Sequence, residues 1–128
     1  MNTTTATISK SEKIKDVLNR FRSISPDIFG ASVITMEGFM VASVTLSEID
    51  EGLVGGLTAA MLGVGERIAS EMMNSRMSQI YVKSDNGYII CNSINEETVL
   101  VSLVNSDAKL GLIFLEIRRI LPDLASLI

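Results

Sequence analysis

The segment from Glu51 to Met72 reads EGLVGGLTAAMLGVGERIASEM, and its interpretation decides the fold. Between Glu51 and Glu66 it carries no charge and holds five of the nine glycines of the chain. A membrane span needs about 20 consecutive apolar residues, which is more than this uncharged run provides. A nucleotide-binding loop is also excluded, because GVGERI lacks the third glycine of a dinucleotide fingerprint and the Gly-Lys-Ser/Thr end of a P-loop. The segment is therefore predicted to be a helix that another backbone approaches closely.

The glycines of this helix need a compensating contact, since each interior glycine costs up to about 1 kcal/mol relative to alanine. On a helical wheel, one strip is small and a neighbouring strip is large and apolar. The small strip is Gly52, Gly56, Ala59, Ala60 and Gly63, and the large strip is Leu53, Leu57, Met61 and Val64. We expect the large strip to cover a sheet and the small strip to admit a second backbone.

Two interpretations of the small strip remain open from the residues alone. The small residues fit the helix tightly onto its own sheet, or they form a helix-to-helix contact in a homodimer. The segment QIYVKS, which begins at Gln79, reads as an unprotected strand that would leave a sheet edge open to pairing. This second feature favours the homodimer.

Composition indicates one globular domain. The chain has 128 residues, of which 47% are hydrophobic and 20% are charged, enough apolar material for a core. The first eight residues, MNTTTATI, have no basic run before an apolar core and are expected to be a disordered tail, with the domain at 9–128. No signal peptide or membrane span is recognised, so the expected location is the cytoplasm.

Several kinds of chemistry are not expected. The chain has no histidine and one cysteine, Cys91, so a disulfide, the usual metal sites and a Ser/His or Cys/His nucleophile pair are excluded, and no cofactor is predicted. The net charge of −4 argues against nucleic acid as a partner. Arg67 and Glu71 stand at helical spacing and are predicted to form an exposed ion pair. Cys91 is interpreted as a buried small hydrophobe. Met61, Met72, Met73 and Met77 suggest either an adaptable binding surface or core filling, of which core filling is favoured.

The remaining elements follow from local signals. Ser9 begins a capping-box pattern for a first helix that ends at Pro26, and Glu37-Gly38 is a turn between strands at about 29–36 and 39–45. Ser47 is the expected cap of the central helix, which runs to about Asn74. Three strands in a meander and a last helix follow, with Asn105 or Ser106 as the cap and an interruption at Pro122. The fold class is an α/β (α+β) sandwich: a five-stranded antiparallel sheet with helices on both faces, in the order α-β-β-α-β-β-β-α.

The chain resembles the Roadblock family of dynein-light-chain-type and bacterial or archaeal polarity-type proteins. The likeness covers Lys13 to Leu121 and rests on three segments in succession: GASVITMEGFMVAS, ERIASEM, and GYIICNSINEETVLVSLVNSDAKLGLIFLEIRRI. It implies a profilin-like sandwich with the central helix on one sheet face and the terminal helices on the other. The central helix departs from the family pattern, which is usually alanine-rich rather than glycine-rich.

The resemblance also implies a homodimer in which the third strand pairs with its symmetry mate and the central helices lie side by side. The predicted dimer interface comprises Gly52, Gly56, Ala59, Ala60, Gly63, Gln79, Ile80, Tyr81, Val82 and Lys83. It further implies a noncatalytic binding platform or regulator for a small Ras-like GTPase. Two alternatives remain: a structural adaptor in a motor, filament or signalling assembly without nucleotide-dependent binding, and a small-ligand sensor with an apolar pocket.

Overall fold

The computed structural model describes residues 9–46 and 48–128. Its elements are α1 (Lys10–Ile24), β1 (Ile28–Thr35), β2 (Met40–Thr45), α2 (Glu51–Met73), β3 (Gln79–Ser84), β4 (Gly87–Ser93), β5 (Thr98–Asn105) and α3 (Leu110–Leu127). This order is the predicted one. The expected tail at 1–8 and the expected cap Ser47 lie outside the described residues.

The five strands form one antiparallel sheet in the order β2-β1-β5-β4-β3. β1, β5 and β4 are interior strands, so their backbone groups are paired on both sides, while β2 and β3 are the edges. The register between β1 and β2 shifts where Val33 faces Ala42 and Ile34 faces Met40, which places an extra residue in β2. Such a bulge bends one edge strand, whereas β3 pairs with β4 without a shift and stays regular.

Helices cover both sheet faces, as predicted. On one face, α1 and α3 bury Phe21 and Ile117 against Leu100 of β5 and its neighbours. On the other face, α2 buries Leu62 against Ile34, Cys91, Val99 and Val101. Because a fully buried large aliphatic side chain contributes about 1.5–3 kcal/mol, the layer formed by α1 and α3 is held far more strongly than the layer formed by α2.

Two helices have side-chain caps. The N–H of Glu12 donates to Ser9 Oγ at 3.1 Å, which confirms the predicted start of α1. The N-cap of α2 is Asp50 and not the expected Ser47; the Asp50 carboxylate accepts from the Leu53 N–H at 3.1 Å. It ends at Asn74, which adopts a left-handed conformation with φ of +51°, as short amide side chains tolerate. The predicted end of the central helix is therefore confirmed.

The last helix differs from its prediction at both ends. Asn105 and Ser106 are not its cap: the N-cap is Lys109, without a side-chain hydrogen bond, and Asn105 closes β5 by donating its N–H to the Asp27 carbonyl at 2.8 Å. The expected interruption at Pro122 is also wrong, because α3 continues to Leu127. Proline removes one helical hydrogen bond, but the next turn places Leu124 in the core, and its burial offsets that loss.

Candidate interaction surface

α2 packs on the sheet through small residues. Its buried positions are Gly55, Thr58, Leu62 and Gly65, which recur at spacings of three and four and therefore share one side. Of the four residues expected to cover the sheet, Met61 is half-buried against the core beneath α2, whereas the expectation is wrong for Leu53, Leu57 and Val64, whose side chains are exposed. The large strip was misplaced because α2 is apolar on nearly every side, so hydrophobic periodicity does not identify the face that packs.

Two glycines explain how α2 comes so close to the sheet. Gly38, in the β1–β2 turn with φ of +99°, has its carbonyl oxygen against Gly55, and a Cβ on Gly55 would collide with that oxygen. A Cβ on Gly65 would lie 2.6 Å from Met77 Sδ. The tight fit of the helix to its own sheet therefore depends on Gly55 and Gly65, neither of which belongs to the predicted small strip.

The small strip itself faces away from the sheet. Gly52, Gly56, Ala60 and Gly63 are exposed and Ala59 is half-buried. A Cβ added to Gly56 or Gly63 would meet nothing within 4 Å, so contacts within the described chain give no reason for glycine at these positions.

Beside the small strip lies a row of exposed large side chains, the apolar face of α2, formed by Leu53, Leu57, Val64 and Ile68. Met72 and Met73 extend it at 75% and 76% exposure. Of the methionines interpreted as core, Met77 is buried and Met61 is half-buried, whereas the interpretation fails for Met72 and Met73. Leu53, Leu57 and Val64 were expected against the sheet because the side of α2 that packs there includes Gly55 and Gly65, which give almost no hydrophobic signal.

β3, which was predicted to be an unprotected strand, lies at an edge of the sheet. β3 hydrogen-bonds only β4 within the described residues, and Gln79, Tyr81, Val82 and Lys83 are exposed. Ile80 is half-buried and packs towards α2, and Val82 shares its side of the strand. Tyr81 points to the other face, where its ring centroid lies 5.9 Å from that of Phe114 in α3.

The free edge of β3 and the apolar face of α2 adjoin one another. α2 crosses from the β1–β2 turn, at Gly55, to β3, where Gly65 meets Ile80. The residues from Glu66 to Met73 then continue the helix for about 12 Å. A groove of about 440 Å³ lies between this last part of α2 and the start of β3, with Ile68, Met73 and Ile80 among its walls. The result is one continuous apolar surface that spans a helix and a strand edge.

The charged side chains near this surface are paired or solvated. Arg67 and Glu71 form the predicted exposed ion pair at 3.2 Å, and Arg76 reaches Glu96 at 3.3 Å. Exposed pairs of this kind contribute about 0–1 kcal/mol. Burial raises the pKa of the Cys91 thiol to about 12, which agrees with its interpretation as a small hydrophobe rather than a reactive thiol. Over residues 9–46 and 48–128 no helix is long and apolar enough to cross a membrane.

This architecture, a five-stranded antiparallel sheet between one central and two terminal helices, defines a profilin-like α+β protein whose exposed features are those of an interaction module. The family model of the Roadblock/LC7 domain matches residues 13–103. The chain belongs to the Roadblock/LC7 family. Among its relatives is protein MJ0714 of Methanocaldococcus jannaschii, which is 30% identical over 90 residues, covering 70% of this chain and 75% of the relative.

Solved structures share the fold at low sequence identity. "MglB with tetrameric arrangement" superimposes with a TM-score of 0.85 at 18% identity, covering 93% of this chain and 90% of that one. The gliding protein MglB from Thermus thermophilus gives 0.84 at 18% identity, with the same coverage. Profilin II of Acanthamoeba castellanii gives 0.61 at 13% identity, covering 85% of this chain and 94% of the profilin. The expected profilin-like fold is confirmed.

Proposed function

We propose that this chain is a noncatalytic, cytoplasmic homodimer that serves as a binding platform and regulator for a small Ras-like GTPase, without a cofactor of its own. The observation that carries the proposal is the continuous apolar surface formed by the face of α2 and the edge of β3. An exposed apolar surface next to an unpaired strand is typical of a protein that functions in an assembly. The GTPase is what the Roadblock resemblance implies.

The proposed dimer pairs β3 with β3 of a second copy. An antiparallel pair of identical strands is two-fold symmetric, so each copy offers the same residues to the other. The interface then includes Gln79 to Lys83, and the two sheets join into one. Both α2 helices lie on the same side of the joined sheet, where the end of each helix extends beyond its own β3.

The two α2 helices pack large residues against small ones. In a two-fold contact, Leu57 and its neighbours on the apolar face of one copy fill the space above the small strip of the other, formed by Gly52, Gly56, Ala59, Ala60 and Gly63. This packing gives the exposed glycines a role, since an added side chain at Gly56 would occupy the space of the partner's residue.

The free energy of association indicates that the contact between the α2 helices and the pairing of the β3 strands are both needed. Hiding about half of each exposed side chain on the apolar face of α2 contributes roughly 1 kcal/mol per residue, or about 8 kcal/mol for two copies. Association costs about 4–15 kcal/mol in lost freedom of motion. Helix packing alone is therefore marginal, and the backbone hydrogen bonds of paired β3 strands complete the stabilisation.

The platform acts by differential affinity. A noncatalytic partner changes GTP turnover when it binds one arrangement of the switch segments of the GTPase more tightly than another. Regulation of this kind needs no catalytic arginine, and Arg67 and Arg76 form exposed ion pairs with Glu71 and Glu96. The direct test is to measure hydrolysis and nucleotide exchange of a GTPase recovered with this protein, with and without added protein. Unchanged rates in a verified complex would contradict regulation and favour a structural adaptor.

A further inference from the structure

We propose that the groove between α1 and α3 is a docking site for an amphipathic, basic helical segment of a partner protein. This groove lies on the sheet face opposite α2. It shares no residue with the proposed dimer interface, so a dimer presents two such grooves. The proposal is thus independent of the GTPase assignment.

The groove is continuous along the two helices. Its wider part, about 370 Å³, lies where the end of α1 meets the start of α3, between Ile24 and Leu112. Its narrower part, about 270 Å³, runs between Val17 and Ile120. Both parts are lined by Ile24 and Glu116, which join them. From Val17 to Ile24 the groove follows α1 for about 10 Å, close to two helical turns.

The floor of the groove is apolar and two large side chains stand open at its wider part. Phe21, Ile113 and Ile120 are buried beneath it. Ile24 and Leu112 are 55% and 59% exposed. Neighbouring exposed aliphatic residues above a buried apolar floor provide anchor points for the apolar stripe of a partner.

The charges around the wider part favour a positively charged partner segment. Asp27, Asp107 and Glu116 line it, with Lys109 as the cation. The narrower part is lined by Arg20, Arg119 and Asp123, so the excess of negative charge is confined to the wider part. Glu116 is neutralised by Arg119 at 3.0 Å, whereas Asp27 and Asp107 form no ion pair in the part of the chain that the structure describes. Two unpaired carboxylates beside an apolar groove favour a segment with lysine or arginine next to its apolar anchors.

The walls of the groove also select the shape of the partner. The narrower part runs between two helices, and no strand residue lines either part, so the groove offers no strand edge to an extended peptide. A segment that docks here must satisfy its own backbone hydrogen bonds. A short amphipathic helix of two to four turns meets this requirement and presents apolar residues at i, i+3, i+4 and i+7.

The test uses two designed helical peptides of about 14 residues, the length of four turns, with leucines at these positions. One carries flanking lysines and the other carries glutamates in their place. Fluorescence anisotropy with the full chain gives the affinities, and amide chemical shifts of the ¹⁵N-labelled chain locate the site. We expect the lysine peptide to bind and to shift residues of α1 and α3 around Ile24 and Leu112.

Variants assign the binding to named side chains. Leu112→Ser should weaken the lysine peptide about tenfold, as expected for loss of an apolar anchor. The double variant Asp27→Asn, Asp107→Asn should weaken it about fivefold by removing two charge pairs. Leu46→Ser is the control, because Leu46 is 69% exposed but lies outside the groove. Its affinity should equal that of the unaltered chain.

Three results would overturn the proposal. The first is equal affinity for the lysine and glutamate peptides, or no binding by either. The second is a set of chemical-shift changes confined to α2 and β3. The third is a lower oligomeric mass for Leu112→Ser, which would assign the groove to a contact between copies of this chain.

Discussion

The carbonyl oxygen of Gly38 rests against Gly55, and this contact fixes the β1–β2 turn to the central helix. Gly56, the next residue of the helix, has open space around its missing side chain. Adjacent glycines thus have different roles, one inside the fold and one on its surface.

This difference predicts opposite effects on stability. Gly55→Ala forces the Gly38 backbone away from α2 and should lower the free energy of unfolding by about 1–3 kcal/mol. Within one chain Gly56→Ala meets no neighbour, so in the Leu57→Asp background, which removes the proposed dimer contact, it should raise the free energy of unfolding by up to about 1 kcal/mol through higher helix propensity. Urea unfolding of both variants in this background at one protein concentration measures the effects. Equal stability of the two variants would show that the contact between Gly38 and Gly55 is not tight in solution.

Gly56→Leu tests the small strip in the proposed dimer. The leucine side chain projects into the space assigned to the partner helix, so the dissociation constant should rise about 100-fold or more, equivalent to about 2.7 kcal/mol. Analytical ultracentrifugation over a range of concentrations measures this constant. The matched control is Gly111→Leu in α3, because a Cβ at Gly111 also meets nothing within 4 Å. A Gly56→Leu variant that dimerises as tightly as this control removes the role assigned to the small strip.

Leu57→Asp tests the apolar face of α2. Leu57 and Leu112 are 63% and 59% exposed, and both lie on helices, so a charge at either position disturbs the monomer to a similar, small extent. Leu57→Asp should give a monomer by light scattering at micromolar concentration, because pairing would bury the carboxylate. Leu112→Asp should remain a dimer. The same mass for both variants would contradict the proposed position of the interface.

The buried Cys91 thiol should make the folded protein less stable at high pH. Its pKa is raised by burial from 9.0 to about 12, so the folded protein keeps the thiol protonated where the unfolded chain has lost the proton. The contribution is intact below pH 9 and is lost as the pH rises towards 12, at up to about 1.4 kcal/mol per pH unit. Urea unfolding between pH 8 and 10.5 should therefore show a steeper decline for the unaltered chain than for Cys91→Ala. If the stability of the unaltered chain and of Cys91→Ala falls equally with pH, the raised pKa of the Cys91 thiol is contradicted.

Local signals in the sequence predict most of the fold. Ser9 caps α1 and Gly38 adopts the positive φ expected in a hairpin turn, and both effects depend on a few neighbouring residues. The position of β3 at the edge also follows from the chain order, because a meander of three strands ends on one side of the sheet. The cap of α3 was misassigned because Asn105 is held in β5 by its bond to Asp27, a partner distant in sequence.

The candidate surfaces were harder to predict. The exposure of Leu57 could not be derived from the helical pattern, since Gly55 and Gly65 give almost no hydrophobic signal although they form the packed side of α2. The groove at Ile24 and Leu112 depends on how two helices from opposite ends of the chain meet over the sheet. Sequence periodicity reports which residues share a face, but packing between distant elements decides which face is covered.

The most direct test of the central claim is capture of partners from native extract on the immobilised protein, in parallel with excess GTP analogue and with GDP. Leu57→Asp serves as the dimer-deficient control. The proposed function predicts that a small Ras-like GTPase is retained in one nucleotide state and is lost from the variant. Recovery of the same assembly proteins in both nucleotide states, with no GTPase among them, would contradict the claim and identify the protein as a structural adaptor.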